Sequence, residues 1–247
     1  MWSWLRRSPA PKGFDAPPAP DGPLAVIGDV HGADGLLARL LDRLEDSDRQ
    51  LVCVGDYVDR GDNSAAVIDL LRARQAAAPG RLVCLMGNHE RMLLDFLDAP
   101  VQAGRRWLRY GGMQTLASFG VPPVPETAPE TEWHLARERF ADALGPGAEA
   151  WLRALPLTWQ SGNVAVVHAA ADPRLDITRQ PEQTLLWGHA DFATTPRRDG
   201  VWVVHGHTIM RQPQSAEGRI SIDTGAYATG KLTAALIDPG SVAFETA

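Results

Sequence analysis

Nearly every short apolar run of this 247-residue chain is followed by side chains that could hold a metal ion. In chain order they are Asp29 and His31, Asp56, Asn88 and His89, His168, and His205 with His207. They offer carboxylate and amide oxygen and imidazole nitrogen without thiolate. That donor set suits Mn²⁺, Fe or Zn²⁺ better than Ca²⁺ or a cysteine-built zinc site. Asp29 and His31 are two residues apart, so an extended backbone turns both to the same side. Singly, each residue is a weak signal. An aspartate after a strand commonly caps a turn or helix, and a lone histidine after Val-Val is usually a core or edge residue. Turn chemistry does not call for histidine at four of these loops, and the joint pattern points to a metal centre.

The elements that must position these residues begin at Leu24. Leu24-Ala25-Val26-Ile27, Leu51-Val52-Cys53-Val54 and Leu82-Val83-Cys84-Leu85-Met86 are short apolar runs ended by Gly28-Asp29, Gly55-Asp56 and Gly87-Asn88. They read as buried strands feeding loops. Helical spacing of apolar residues follows the first two, over 33–46 and 65–74. Three such units in a row predict a parallel, doubly wound sheet, which gathers its ligands at the carboxyl ends of the strands. Helical stretches fill 91–157, read as an insertion over one edge of the sheet. Short strands then resume at 164–167, 201–204, 220–222 and 232–236, as in a second, mixed or antiparallel sheet. Cys53 and Cys84 lie inside strand runs and read as small buried hydrophobes.

Composition bounds the partners. Twenty-four Lys and Arg against 30 Asp and Glu give a net charge of −6, which favours neither nucleic acid nor an anionic membrane surface. No apolar run is long enough to span a bilayer. Prolines at 9, 11, 17, 18, 20 and 23 leave no room for a signal-peptide core. The chain reads as a soluble, cytoplasmic protein with a disordered, Pro-rich tail over 1–23 and one domain over 24–247.

The strings Gly28-Asp29-Val30-His31-Gly32, Gly55-Asp56-Tyr57-Val58-Asp59-Arg60-Gly61 and Gly87-Asn88-His89-Glu90 resemble the three signature motifs of the PPP-type metallophosphoesterases, the family that includes the serine/threonine protein phosphatases. His168 and His207 look like its later histidine ligands, and Ile222-Asp223-Thr224-Gly225 with Gly230-Lys231-Leu232 like its C-terminal strand pair. The resemblance covers about residues 24–238. It implies a four-layer αββα sandwich of two mixed sheets holding two divalent metal ions, Mn²⁺ foremost and Fe or Zn²⁺ as alternatives. Asp29 and His31 would hold the first ion, Asp56 would bridge, and Asn88, His168 and His207 would hold the second. A hydroxide shared by the ions would attack phosphorus in line. His89 would be the general acid, Asp59 its orienting partner and Arg60 the grip on the phosphoryl oxygens. Glu90 is left without a role.

Two positions depart from the family pattern. The family's second phosphate-binding arginine follows a mid-chain Trp, and here Trp187-Gly188-His189 places His189 there unless Arg174 or Arg179 reaches in. The wider superfamily, nucleases included, ends in a Gly-His-x-His pair, but Ile209 stands where the last histidine would fall. His205 is therefore read as a supporting or core residue rather than a ligand. The leading expectation is a phosphomonoesterase acting on phosphoserine or phosphothreonine in a phosphoprotein or phosphopeptide. The alternatives are a symmetrical diadenosine tetraphosphate hydrolase and a non-catalytic phosphoprotein-binding module.

Overall fold

Successive residues of a strand face opposite sides of the sheet, and in β1 (Leu24–Ile27) both sides are buried. Leu24 and Val26 enter an apolar layer shared with Val52, Val54, Val164, Val166, Val204 and Ile220. Ala25 and Ile27 pack on the other side, beneath helices that supply Leu37, Leu40 and Leu71. A strand apolar on both faces belongs at the centre of a layered structure, and β1 is the middle strand of its sheet.

The computed structural model describes residues 13–247. After β1 come α1 (Asp34–Leu44), β2 (Gln50–Cys53), α2 (Ser64–Ala77) and β3 (Leu82–Cys84). The chain is then helical through α3 (Asn88–Asp98), α4 (Pro100–Trp107), a turn kinked at Gly111 (Leu108–Gly112), α5 (Met113–Ser118), α6 (Glu130–Leu144) and α7 (Pro146–Arg153). Next follow β4 (Thr158–Ser161), β5 (Val164–Val167), α8 (Glu182–Trp187), β6 (Trp202–His205), β7 (Gln214–Ala216), β8 (Arg219–Ser221), α9 (Ala226–Thr229), β9 (Thr233–Asp238) and β10 (Ser241–Thr246).

Two five-stranded sheets result, ordered β10-β9-β1-β2-β3 and β4-β5-β6-β8-β7. In the first, β1, β2 and β3 run parallel, and β9 and β10 join antiparallel at one side. In the second, β5, β6 and β8 run parallel between antiparallel β4 and β7. The sheets meet through their shared apolar layer. Helices cover the outer face of the first sheet, while Ile177, Leu185 and Phe192 cover the outer face of the second. This is the expected αββα sandwich of two mixed sheets: the three opening units run parallel, as their pattern predicts, and the sheet they form is mixed rather than wholly parallel because β9 pairs antiparallel with the free side of β1. Cys53 and Cys84 are free, buried, and opposite each other in register between β2 and β3.

The expected tail over 1–23 is corrected in its second half, and residues 1–12 lie outside the described residues. Phe14 stacks edge-on against Trp202, with ring centroids 5.2 Å apart. Trp202 Nε1 donates to the Ala16 carbonyl at 2.8 Å, Asn163 Oδ1 accepts the Ala19 N–H at 2.6 Å, and Asp21 accepts the Gly162 N–H at 2.9 Å. Prolines hold this stretch extended, and its Ala16, Pro17 and Ala19 carbonyls accept from Trp202 and Asn163 of the second sheet, partners that composition alone does not reveal.

Candidate metal centre

The loops after β1, β2, β3, β5 and β6 converge at one end of the sandwich, and each brings its predicted residue. Asp56 lies at the middle. One carboxylate oxygen, Oδ2, is 3.5 Å from His31 Nε2 and 3.9 Å from His89 Nε2, while Oδ1 is 3.4 Å from His168 Nε2. Two compact groups of metal-competent atoms follow, His31–Asp56–His89 and Asp56–His168–His207, with Asp56 common to both. Asn88 Oδ1 joins the second, 2.8 Å from His168 Nε2 and 2.9 Å from His207 Nδ1. Asp29 stands outside both groups, its two oxygens accepting the His207 N–H at 3.2 and 3.0 Å.

The tautomers are set by the backbone. His31 Nδ1 donates to the Val58 carbonyl at 2.8 Å and His168 Nδ1 to the Val54 carbonyl at 3.1 Å. Each neutral ring therefore turns its Nε2 lone pair inward, the arrangement that pre-orients an imidazole ligand. His31 Nε2 is buried without a hydrogen-bond partner. His168 Nε2 faces the amide oxygen of Asn88, so two acceptors confront each other. Burial lowers the pKa of His31 to about 3 and that of His168 to about 4, and lowers His207 as well. All three are thus neutral near pH 7, the form that binds metal.

The carboxylates argue the same way. Asp29, Asp56, Glu90 and Asp223 are all buried here, whereas the one buried guanidinium or ammonium among the described residues, Arg197, pairs with Asp199. Burial pushes the Asp29 pKa well up, and the Asp223 and Asp56 charges push it further. Burial also acts against Asp56, but His168, His89 and His31 outweigh it and hold its carboxyl well below the usual range. Unpaired buried anions, an orphaned imidazole nitrogen and facing acceptors are the features that a divalent cation satisfies. The residues present fit such ions.

His89 differs from the other imidazoles. Its Nδ1 lies 2.7 Å from Asp59 Oδ2, a carboxylate rather than a carbonyl. Burial works against protonation, yet Asp56 and Asp59 raise its pKa above the ordinary histidine value. A carboxylate partner at Nδ1 favours the protonated ring, and that geometry suits the expected acid. Asp59 is fully buried and receives two further donors that the sequence did not disclose. Trp107 Nε1 donates to it at 3.0 Å, and Thr115 Oγ1 donates at 2.6 Å. Both come from the helical segment between β3 and β4. No spacing rule links them to Asp59, and Trp107 reads in sequence as ordinary packing.

Glu90 also acquires a role. Its carboxylate accepts the backbone N–H groups of Asp56 (2.8 Å), Tyr57 (2.7 Å), Val58 (3.2 Å) and Gly87 (2.9 Å). It thereby ties the loop after β2 to the start of α3. Burial and then the Asp56 charge push its pKa up to about 8. All four partners are donors and none can accept a carboxyl proton, so the carboxylate is the form these loops are built around. In Glu90→Gln an amide NH₂ faces two of those N–H groups. A loss of about 1.5–3 kcal/mol, read as a melting temperature lower by roughly 3–12 °C, is expected in thermal denaturation, and an unchanged melting curve contradicts the clamp.

Backbone strain marks the same residues. Six non-glycine residues among those described have positive φ: His31, Asp56, Asp59, Arg60, His207 and Glu217. Five of them are predicted site residues. Left-handed backbone at non-glycine positions costs of order 1–3 kcal/mol each and clusters at functional sites. Arg60 (φ 68°) is held by the kinked turn over 108–112, its N–H donating to the Gly111 carbonyl at 3.3 Å. A Cβ on Gly111 would stand 2.6 Å from that nitrogen, and one on Gly206 would stand 1.8 Å from Asp29 Oδ1. Only glycine fits at either place.

Residues 22–211 match the calcineurin-like phosphoesterase family. The chain belongs to the calcineurin-like phosphoesterases. An asymmetrical bis(5′-nucleosyl)-tetraphosphatase PrpE of Oceanobacillus iheyensis is 29% identical to this phosphoesterase over 235 residues, 85% of this chain and 86% of its own. A probable serine/threonine-protein phosphatase of Encephalitozoon cuniculi is 38% identical, but over 69 residues, 28% of this chain and 15% of its own. Among solved structures, a putative diadenosine tetraphosphatase superposes with a TM-score of 0.64 at 23% identity, covering 94% of this chain and 98% of the other. That likeness bears on the fold alone. Membership in this family implies divalent metal ions at the centre.

The two departures resolve in part. His205 hydrogen-bonds Gly206 O (3.0 Å) through Nδ1 and Ser221 Oγ (2.8 Å) through Nε2, with the Phe192 ring against it. Both nitrogens are occupied away from the metal groups. His189 lies 3.6 Å from the Asp172 carboxylate, and Arg174 is taken up by Asp191. Among the described residues no helix is long and apolar enough to cross a membrane.

Proposed function

We propose that this calcineurin-like phosphoesterase is a dinuclear-metal hydrolase whose substrate is the phosphoanhydride chain of a dinucleoside tetraphosphate. The observation that carries the chemistry is Asp56, one carboxylate whose two oxygens face His31 on one side and His168 on the other. The observation that carries the substrate is the relative named as an asymmetrical bis(5′-nucleosyl)-tetraphosphatase, aligned over nearly the whole chain. This inverts the order expected from the motifs, which placed a protein phosphatase first and a symmetrical hydrolase second.

His31, Asp56, Asn88, His168 and His207 are the proposed ligands, with Asp29 reaching the first ion from its place against the His207 amide. Mn²⁺ is the proposed ion. When bound, a pair of divalent ions supplies Lewis acidity to phosphoryl oxygens and lowers the pKa of water. Arg60, half-buried and fixed at its backbone, binds a phosphoryl oxygen pair through its planar fork. His89 holds a proton at Nε2 for the leaving oxygen, and Asp59 orients the ring through Nδ1. Trp107 and Thr115 fill the other acceptor sites of Asp59 and keep that carboxylate aimed at His89.

A second reading, hydrolysis of phosphoserine or phosphothreonine esters, is supported by the local likeness to the Encephalitozoon cuniculi phosphatase and by the Asp59-Arg60-Gly61 and Gly87-Asn88-His89-Glu90 strings. A side-by-side assay with Mn²⁺ on diadenosine tetraphosphate, a phosphoseryl peptide and bis-p-nitrophenyl phosphate separates the readings. The tetraphosphate is expected to turn over with the highest kcat/KM. Unequal cleavage yields ATP and AMP, whereas symmetrical cleavage yields only ADP. Faster turnover of the phosphopeptide reverses the assignment, and binding of phosphopeptide without turnover of any substrate revives a non-catalytic module.

A further inference from the structure

The chain has three tyrosines. Tyr57 is buried, its hydroxyl donating to the Leu85 carbonyl at 2.8 Å. The other two, Tyr110 and Tyr227, are 47% and 40% exposed, and both stand at the metal centre. Tyr227 on α9 meets the His31 ring edge-on at 5.3 Å, and the Arg60 guanidinium lies over it, 5.2 Å from the ring centroid. Tyr110, on the kinked turn over 108–112, has its ring 6.5 Å from that of His89. The same turn holds the Arg60 backbone through Gly111. Two exposed aromatic rings, from segments far apart in sequence, thus flank the centre, Tyr227 against the Arg60 guanidinium and Tyr110 beside His89 on the turn that holds the Arg60 backbone.

We propose that Tyr110 and Tyr227 form a stacking rim for the nucleobase of a nucleotide whose phosphates reach Arg60. The inference rests on the phosphoanhydride reading for its substrate and on the two rings for its geometry. Every base has a π-face, and aromatic side chains bind such faces with little regard to base identity. A guanidinium beside the ring adds cation–π attraction and meets the adjoining phosphate. A nucleotide carries its flat ring on the sugar that bears the phosphate, whereas a phosphoseryl group has no ring of its own.

Titration calorimetry on the Mn²⁺-loaded protein, with AMP and inorganic phosphate as probes, tests the rim. Wild type is expected to bind AMP about 5- to 150-fold more tightly than phosphate, the span of one base–aromatic stack. Tyr110→Ala and Tyr227→Ala should each lower that ratio, and the double variant should bring it near one. Tyr→Phe at either position should keep it, because the ring and not the hydroxyl stacks. A wild-type ratio near one overturns the proposal. So does a ratio that the alanine variants leave unmoved, including the case where both affinities fall in parallel because the rings merely brace Arg60. If the ratio behaves as expected but diadenosine tetraphosphate is not cleaved, the phosphoanhydride reading fails and the rim stands as a nucleotide site.

Discussion

Asp56→Asn is expected to lower metal affinity by at least two orders of magnitude and to abolish turnover of every substrate. Its two oxygens serve opposite sides, Oδ2 toward His31 and Oδ1 toward His168. An amide keeps one oxygen and presents an NH₂ to the other side, so one group of ligands loses its anion and gains a donor where a cation belongs. Changes in residues that merely support a ligand already cost about 10- to 100-fold in metal affinity or activity. Loss of the shared ligand exceeds that range. The fold should survive, because the Glu90 clamp grips the backbone of this loop and not the Asp56 side chain. Elemental analysis after dialysis, together with calorimetric titration of Mn²⁺, measures the effect. Full metal occupancy in a folded Asp56→Asn protein contradicts the shared-ligand assignment.

The elements built on apolar runs were legible in the sequence. β1, β2, β3, β5, β6, β8 and β9 fall where Val, Ile and Leu are concentrated, and the loops that follow most of them carry the metal-competent side chains. The strands that escaped notice, β4, β7 and β10, lie at sheet edges and are polar or half-exposed, with burial too slight to leave an apolar signature. The strap around Phe14 escaped for a related reason, since its order derives from backbone carbonyls and a single aromatic contact. In the site the ligand types could be read, but their support could not. Trp107 and Thr115 reach Asp59 from an inserted helical segment, and Asp223 comes to Asp29 from beyond β8. Those pairings are products of tertiary packing, and nothing local announces them. The strain at Asp56, Asp59 and Arg60 is likewise invisible to propensity, which would put glycine or asparagine at positive φ.

The inserted helices also change what a substitution at the acid means. Asp59 is buried with three side-chain donors on its carboxylate, and only one of them is His89. Replacing Asp59 therefore strands the Trp107 N–H as an unpaired donor in the interior, while Thr115 keeps Ser64 and the residue-59 backbone N–H, a stability cost that mixes with any catalytic one. His89 itself is the cleaner probe. His89→Asn should leave metal content intact and lower kcat by about 10²- to 10⁴-fold, the range of general acid catalysis. The loss should depend on the leaving group. An alkoxide from a phosphoseryl peptide needs the proton most and should show the largest drop. A nucleotide from diadenosine tetraphosphate leaves as a stable phosphate anion and should show the smallest. The pH profile follows from the raised pKa of His89. Burial opposes the charge, and Asp56 and Asp59 outweigh it. Wild-type turnover of the ester should thus fall as pH rises through that elevated pKa, and the falling limb should vanish in His89→Asn. Equal losses on ester and anhydride, or a pH limb that persists in the variant, would place the proton donor elsewhere in the site.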